Sequence, residues 1–513
     1  MLDCRPNTLT RIGKSDIQGG NIPLGCDQIV SKTQYGLLLT GDDTGLHPIY
    51  CYCERDQVVI STDIENILDE VQKDGASPDV SPEAICHLLH HGLVPQPQTV
   101  FKNLFFLGIG ARAAVSVKDD VIHVRCFDEF PYFGHLSTGN SKPSTQELLR
   151  LLSASVARQL DGASDGFLMM SSGKDSSGVA LAMAEAGRRD IRCVTYCEDL
   201  EDPEYRDARI LCGKLGLSHE PVVMDFSVDD SEDVTDFFER SPIPNAESGQ
   251  IAYLFCLKEL DVRSGALIDG TGNDCYMGFL PPRRSRWMLP FTLAGILPRN
   301  LVSSLIPTDS RLNYLFFNRA QLLRLLGRKL RYVDTKTFYQ DAVDTSLYWD
   351  EVSLKYKTFD LIDLACFLEN HYDQKAVMLK ARAAVAARDL NAIFPYCDRD
   401  LINYVFNLPE ADRFDREKQI NKVLLRALLK ERCGYDAERI GKRVFEFGKV
   451  RWLLRHRKFV SAEIGRCALW NEKAGPLAEK ILAKLETRPD LHYALFPLFM
   501  ISGWHNHSRY IKR

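Results

Sequence analysis

Phe167-Leu-Met-Met-Ser-Ser-Gly-Lys-Asp-Ser-Ser177 runs four apolar residues straight into seven small, polar or charged ones. Phe167 to Met170 reads as a buried strand, and Ser176 to Ala186 as a helix stopped by Gly187. A strand that turns into a helix through small residues lets backbone N–H groups converge at the positive end of the helix dipole. Serine hydroxyls add further donors, so Ser171, Ser172, Gly173, Lys174, Asp175, Ser176 and Ser177 form an anion cradle. The Walker A spacing G-x-x-x-x-G-K-[ST] is absent.

Strand and helix patterns alternate on the C-terminal side. Ile191–Tyr196, Val222–Met224 and Ala266–Asp269 read as strands, with helices over Glu204–Leu215 and from about Ile251 to Glu259. Such alternation predicts a parallel sheet covered on both faces. The last of these strands enters a second glycine-rich turn, Asp269-Gly-Thr-Gly-Asn-Asp274. Two such turns at one sheet edge place Asp175 and Asp274 across a cleft.

The first turn resembles the S-G-G-x-D-S pyrophosphate loop of the PP-loop ATP pyrophosphatases, with Ser172 in place of the first glycine. That resemblance implies ATP and Mg²⁺ as cofactors. Asp175 and Asp274 are then the metal ligands, since Mg²⁺ favours carboxylate and phosphate oxygens. Gly270 and Gly272 flank the nucleotide phosphates. Gly270-Thr-Gly-Asn-Asp274 is similar to the G-x-G-x-D turn of asparagine and β-lactam synthetases, which place Glu or Tyr where Thr271 stands. Thr271 is therefore the candidate at the reacting centre. Arg439-Ile-Gly-Lys-Arg-Val-Phe-Glu-Phe-Gly448 resembles the segment that supplies a catalytic lysine to β-lactam synthetases, which assigns that role to Lys442, with Lys449 as the fallback. From Arg439 to Lys458 there are eight basic residues and one acid, Glu446.

The likeness extends to Gly41-Asp-Asp-Thr-Gly-Leu-His-Pro-Ile-Tyr50, to Ser61–Leu68, to residues 81–110 and to Phe394-Pro-Tyr-Cys-Asp398 with Asn407-Leu-Pro409. It implies an α/β protein in three parts. Residues 1–133 are a β-rich remnant of a glutaminase-like sandwich, 134–147 a linker, and 148–513 a doubly wound ATP pyrophosphatase domain with a helical C-terminal part. Within that part, 281–390 is a helical insertion that shapes substrate specificity. Ser144-x-x-Glu147 reads as a capping box opening an amphipathic helix. Glutaminase members need a cysteine exposed after Met removal, and Leu2 stands there. The Gly41 turn also comes early, leaving little room for preceding strands. A remnant without glutaminase activity is the expectation, as in lactam and lasso-peptide cyclases.

Composition narrows the partners. Lys+Arg is 64 and Asp+Glu 69, so the net charge of −5 gives no broad basic field for nucleic acid. The apolar stretch Met288–Leu297 is too short for a bilayer and contains Pro290, and the N-terminus has no apolar signal region, so a cytoplasmic protein is expected. None of the fifteen cysteines is spaced C-x-x-C, which predicts reduced and mostly buried thiols. Tyr196 is balanced between the adenosine pocket and the core, Glu204 is placed to cap or brace its helix, and Glu369 and Asp398 are downstream acids that could act as the base for the amine, a structural role being favoured for each. The expected function is an AMP-forming carbon–nitrogen ligase. It adenylates a substrate carboxylate and passes the acyl group to an amine on a small molecule or peptide, in natural-product or peptide biosynthesis. A homodimer or a pathway-enzyme partner fits that role. Its rivals are an ammonia-dependent asparagine synthetase, an RNA-modifying PP-loop enzyme and an inactive nucleotide-binding scaffold.

Overall fold

The computed structural model describes residues 9–20, 29–73, 77–163, 165–226, 228–260, 262, 264–288, 311–327, 333–386, 389–441 and 448–511. In the N-terminal part, strands β1 (Thr10–Gly13), β2 (Val30–Thr33), β3 (Gly36–Thr40), β4 (Ile49–Cys53), β5 (Gln57–Ser61), β6 (Leu104–Leu107), β7 (Ala111–Lys118) and β8 (Val121–Asp128) form two antiparallel sheets. Their orders are β1-β5-β4-β6 and β2-β3-β7-β8. Alternate residues such as Ile12, Val30, Leu37, Leu39, Ile49, Cys51, Val58, Ile60, Ala113 and Val115 pack between them, which makes the pair a sandwich. Two strands and helix α1 (Lys14–Gly19) therefore precede Gly36. The expectation of little room there is corrected. Thr10-Arg-Ile-Gly13 and Val30-Ser-Lys-Thr33 are too short and polar to register as strands in isolation.

The outer face of the β1-β5-β4-β6 sheet, through Tyr50, Val59 and Phe106, packs on α2 (Ile64–Lys73) and α3 (Pro82–His91). The same apolar core continues to the C-terminal helix His492–His507. Arg382 fastens the Gly41–Gly45 turn from the other side, donating to the carbonyls of Gly45 (3.1 Å) and Leu46 (2.9 Å). The connecting segment is likewise tied down: Ser137 Oγ donates to Phe406 O and Ser144 N to the Tyr404 hydroxyl.

Helix α4 (Thr145–Gln159) opens with Ser144 accepting from Glu147 N at 3.1 Å. The reciprocal half of the predicted capping box is missing. The Glu147 carboxylate pairs instead with Arg150, one turn along, through two 2.7 Å hydrogen bonds.

The second sheet is parallel throughout. It comprises β9 (Gly166–Met169), β10 (Arg192–Cys197), β11 (His219–Val223), β12 (Ser264–Ile268) and β13 (Asp389–Ile393), in the order β11-β10-β9-β12-β13. Helices α5 (Lys174–Glu185), α6 (Pro203–Leu215), α7 (Ser231–Arg240) and α8 (Gly249–Glu259) are its connections. Period-2 alternation explains its continuous apolar strands. Phe167 and Met169 face α7 and α8, whereas Leu168 and Met170 face α4, α5 and α6. Strand β13 falls in the region read as mostly helical, because two of the five residues of Asp389-Leu-Asn-Ala-Ile393 are polar and the segment gains its strand character from pairing with β12.

The regular structure in the described parts of 281–390 is otherwise helical, including Arg319–Gly327, Ser346–Lys355 and Leu361–Tyr372. Among the described residues all thirteen cysteines are free, and only Cys53 and Cys126 are not buried. No helix among them is long and apolar enough to cross a membrane.

Candidate nucleotide and metal site

Strand order reverses between β9 and β12: β10 and β11 lie to one side, β13 to the other. Doubly wound sheets take their ligands outside the carboxyl ends of the strands at such a reversal. Both glycine-rich turns lie there. Helix α5 begins at Lys174, two residues earlier than expected, with Gly173 as its N-cap and no side-chain cap. Its first-turn N–H groups therefore face the cleft mouth without side-chain competition.

The serines divide into two roles. Ser171 and Ser176 shape the turn: Ser176 Oγ accepts from Ser171 N (3.1 Å) and donates to Ser171 O (3.0 Å), and Ser171 Oγ accepts from Gly173 N (3.1 Å). Ser172 and Ser177 are buried and line a hollow on the α6 side, with Asp207, Lys214, Tyr435 and Arg439. Tyr435 donates its hydroxyl to Ser172 O at 2.8 Å, and Tyr396 donates to Asp175 O at 3.1 Å. Gly178 leaves room for that Tyr396 hydroxyl.

Gly270 is what allows the two turns to touch. A Cβ there would stand 3.0 Å from Ser176 N and 3.1 Å from the Asp175 carbonyl carbon. Gly272 has φ +95°, and a Cβ would lie 2.6 Å from Cys397 Sγ. Thr271 donates its N–H to Asp269 at 3.0 Å, while its Oγ1 is buried and has no hydrogen-bond partner among the described residues.

Asp175 and Asp274 do meet, and a residue that sequence reasoning missed joins them. The Lys422 ammonium is 2.7 Å from Asp175 Oδ1 and 2.6 Å from Asp274 Oδ1, and it donates to Asn273 Oδ1 at 2.6 Å. Asn273 in turn donates to Asp175 Oδ1 at 2.9 Å. Burial alone would pull the Lys422 ammonium down; the two carboxylates outweigh it and hold it above the ordinary lysine range. Burial, with Lys422 and Arg426 nearby, lowers Lys174 to about 8. Lys422 precedes helix Val423–Cys433, where acids are the favoured residues; that mismatch is the one signal the sequence offered.

Two more acids reach this place. Carboxylate oxygens of Asp274, Glu369 and Asp373 lie within 4.8 Å of one another. Glu369 and Asp373 are buried, and Asp373 opens a π-helical turn to Val377, a distortion that recurs at functional sites. Glu369, one of the two downstream acids named above, thus stands beside Asp274. Asp398 is structural as expected: it caps helix Arg399–Phe406 by accepting from Leu401 N (3.1 Å) and pairs with Arg158. Tyr196 belongs to the core, 4% exposed with its hydroxyl on Met224 Sδ. Asp202 rather than Glu204 caps α6.

Lys442 lies outside the described residues. Its described neighbours are placed: Arg439 pairs with Asp207 at 3.0 Å, and Gly448 packs against Glu198 and Phe226 beyond the ends of β10 and β11. Lys449 stands over the Tyr493 ring at 5.5 Å.

The two adjoining βα turns at a strand-order reversal, with paired aspartates between them, define a nucleotide-binding doubly wound domain. The asparagine synthase family profile matches residues 147–502, about two thirds of the chain, and the chain belongs to that family of ATP-dependent, amide-forming ligases. A search of curated proteins finds no match.

Proposed function

We propose that the protein is an AMP-forming amide synthetase. A substrate carboxylate oxygen attacks the α-phosphorus of ATP and expels pyrophosphate. An amine then attacks the acyl carbon and expels AMP. Activation is needed because a free carboxylate resists nucleophiles, whereas a mixed anhydride with phosphate is a good acyl donor.

The observation that carries this reading is the grip of Asp175 and Asp274 on one cation beside the open N-terminus of α5. Their oxygens converge on a single point, and this donor set suits Mg²⁺, which keeps oxygen ligands and shares them with phosphates. When bound, the ion would neutralise charge on the departing pyrophosphate. The turn from Ser171 to Ser177 would orient the phosphates, and Gly270 and Gly272 would let them approach the backbone. Each well-placed donor at developing charge contributes roughly 3–4 kcal/mol.

Lys442 is assigned to the α-phosphate and the tetrahedral adduct. Thr271 Oγ1, buried and without a hydrogen-bond partner among the described residues, would contact the reacting group. Glu369 and Asp373, which lie beside Asp274, would take the proton from the attacking amine. The amine is proposed to arrive on a substrate. Supporting this, burial pushes the Cys51, Cys53 and Cys126 thiols up, so the described cysteines of the N-terminal sandwich are not poised as thiolate nucleophiles. Natural-product or peptide amidation, with lactam or macrolactam closure, is the setting this chemistry suits.

Substrate-dependent exchange of pyrophosphate into ATP tests the reading. Asp175→Ala is expected to abolish exchange; full exchange in that variant overturns the metal assignment.

A further inference from the structure

The oxygen nest between the two turns already holds a cation of the protein's own. Lys422 is 3% exposed, and its ammonium contacts Asp175 Oδ1 at 2.7 Å, Asp274 Oδ1 at 2.6 Å and Asn273 Oδ1 at 2.6 Å. An ammonium has three hydrogens, so these contacts use all of its donors. The backbone is committed as well. Lys422 has φ +57° and ψ +44°, a left-handed conformation that a side-chain-bearing residue adopts only when its surroundings demand it. Asn273 is held so that its amide N–H₂ points to Asp175 and its oxygen to Lys422. Three of the oxygens that would face a divalent ion in this nest, one each from Asp175, Asp274 and Asn273, are therefore already taken by one lysine.

We infer that Lys422 is a resident counter-ion that competes with the divalent metal for Asp175 and Asp274. Two carboxylates gathered on one point repel each other unless a positive charge sits between them. Lys422 supplies that charge in the nucleotide-free protein and keeps both turns in place. A bare divalent ion must displace the ammonium from these three oxygens and supplies no replacement for them, so it binds poorly. A metal that arrives with a polyphosphate brings new oxygens that the released ammonium can contact, so it enters readily. The nest is thus selective for metal–nucleotide over free metal. This inference rests on the reading of Asp175 and Asp274 as metal ligands, but it concerns occupancy without nucleotide and can be read without turnover.

The test uses Mn²⁺ as the probe and the full nucleotide-free chain, with free Mn²⁺ measured by electron paramagnetic resonance. Lys422→Met is expected to bind one Mn²⁺ at least about tenfold more tightly than the unaltered protein, and Lys422→Met/Asp274→Asn to lose that gain. A folded Lys422→Met protein with unchanged Mn²⁺ affinity overturns the inference. Because that variant leaves two carboxylates facing each other, reductive methylation of the unaltered protein, followed by mass spectrometry, gives a second reading. Saturating Mn²⁺ is expected to free Lys422 and speed its methylation several-fold. Mn²⁺ binding that leaves Lys422 as slow to react as before contradicts competition. Absence of Mg·ATP binding would defeat the ligase reading while leaving these outcomes interpretable.

Discussion

Lys422 lies 247 residues beyond Asp175 in the chain, yet its ammonium stands 2.7 Å from that carboxylate. Through Asp274 it also reaches the turn after β12. The site is therefore assembled from three distant segments, and small errors in how they pack translate into the position of charge. Loss of a fraction of an ångström at such a place is felt in rate before it is felt in fold.

Gly270 is where that sensitivity is greatest. In Gly270→Ala the new methyl would meet Ser176 N and the Asp175 carbonyl carbon at 3.0–3.1 Å, so backbone rather than a flexible side chain has to yield. The expected result is an exchange rate about 100-fold lower and a stability loss of about 1–3 kcal/mol. Unchanged exchange would show that the two turns do not need this contact.

Tyr435→Phe removes the hydroxyl that holds Ser172 O at 2.8 Å, and both residues are buried. One lost buried hydrogen bond predicts about 1 kcal/mol of destabilisation. The pyrophosphate turn should loosen as well, so KM for ATP should rise more than kcat falls. Urea unfolding and steady-state kinetics check the two halves separately.

His371 sets an acid limit. It is 1% exposed, and burial, with Lys375, Arg324 and Lys355 nearby, pulls it down to about 3 from 6.5. Between those values the unfolded chain binds a proton that the folded chain refuses. Its stabilising contribution is thus complete above pH 6.5 and is lost as pH falls toward 3, by about 1.4 kcal/mol per unit. Asp128, raised by burial to about 6, acts in the opposite sense below that pH. His371→Leu should therefore reduce the loss of stability between pH 6 and pH 5 by close to one proton's worth, as measured by urea midpoints at the two pH values.

The parallel sheet was legible because its strands are buried on both faces and read as apolar runs between helices closed by glycine, as at Phe167–Met170 and Gly187. β13 was not, since Asp389 and Asn391 sit at a sheet edge where pairing with β12 decides the structure. The turns at Asp175 and Asp274 were visible from residue type and spacing. Lys422 was not, because apart from its place ahead of a helix N-terminus nothing local separates a buried lysine from a solvated one, and Glu369 stood out only as one downstream acid among others. Their importance comes from long-range packing that places them beside Asp274. Ser144 was read correctly as a cap, but its partner Glu147 had a nearer cation in Arg150, and a charged pair won over the second half of the capping box.

The central claim is that Asp175 and Asp274 together hold the metal of a bound nucleotide. Calorimetric titration of the unaltered protein, Asp175→Asn and Asp274→Asn with the magnesium complex of α,β-methylene-ATP tests it most directly. One site per chain, weakened about 100-fold or more in both variants, is the predicted result. Binding of equal strength in all three proteins would contradict it.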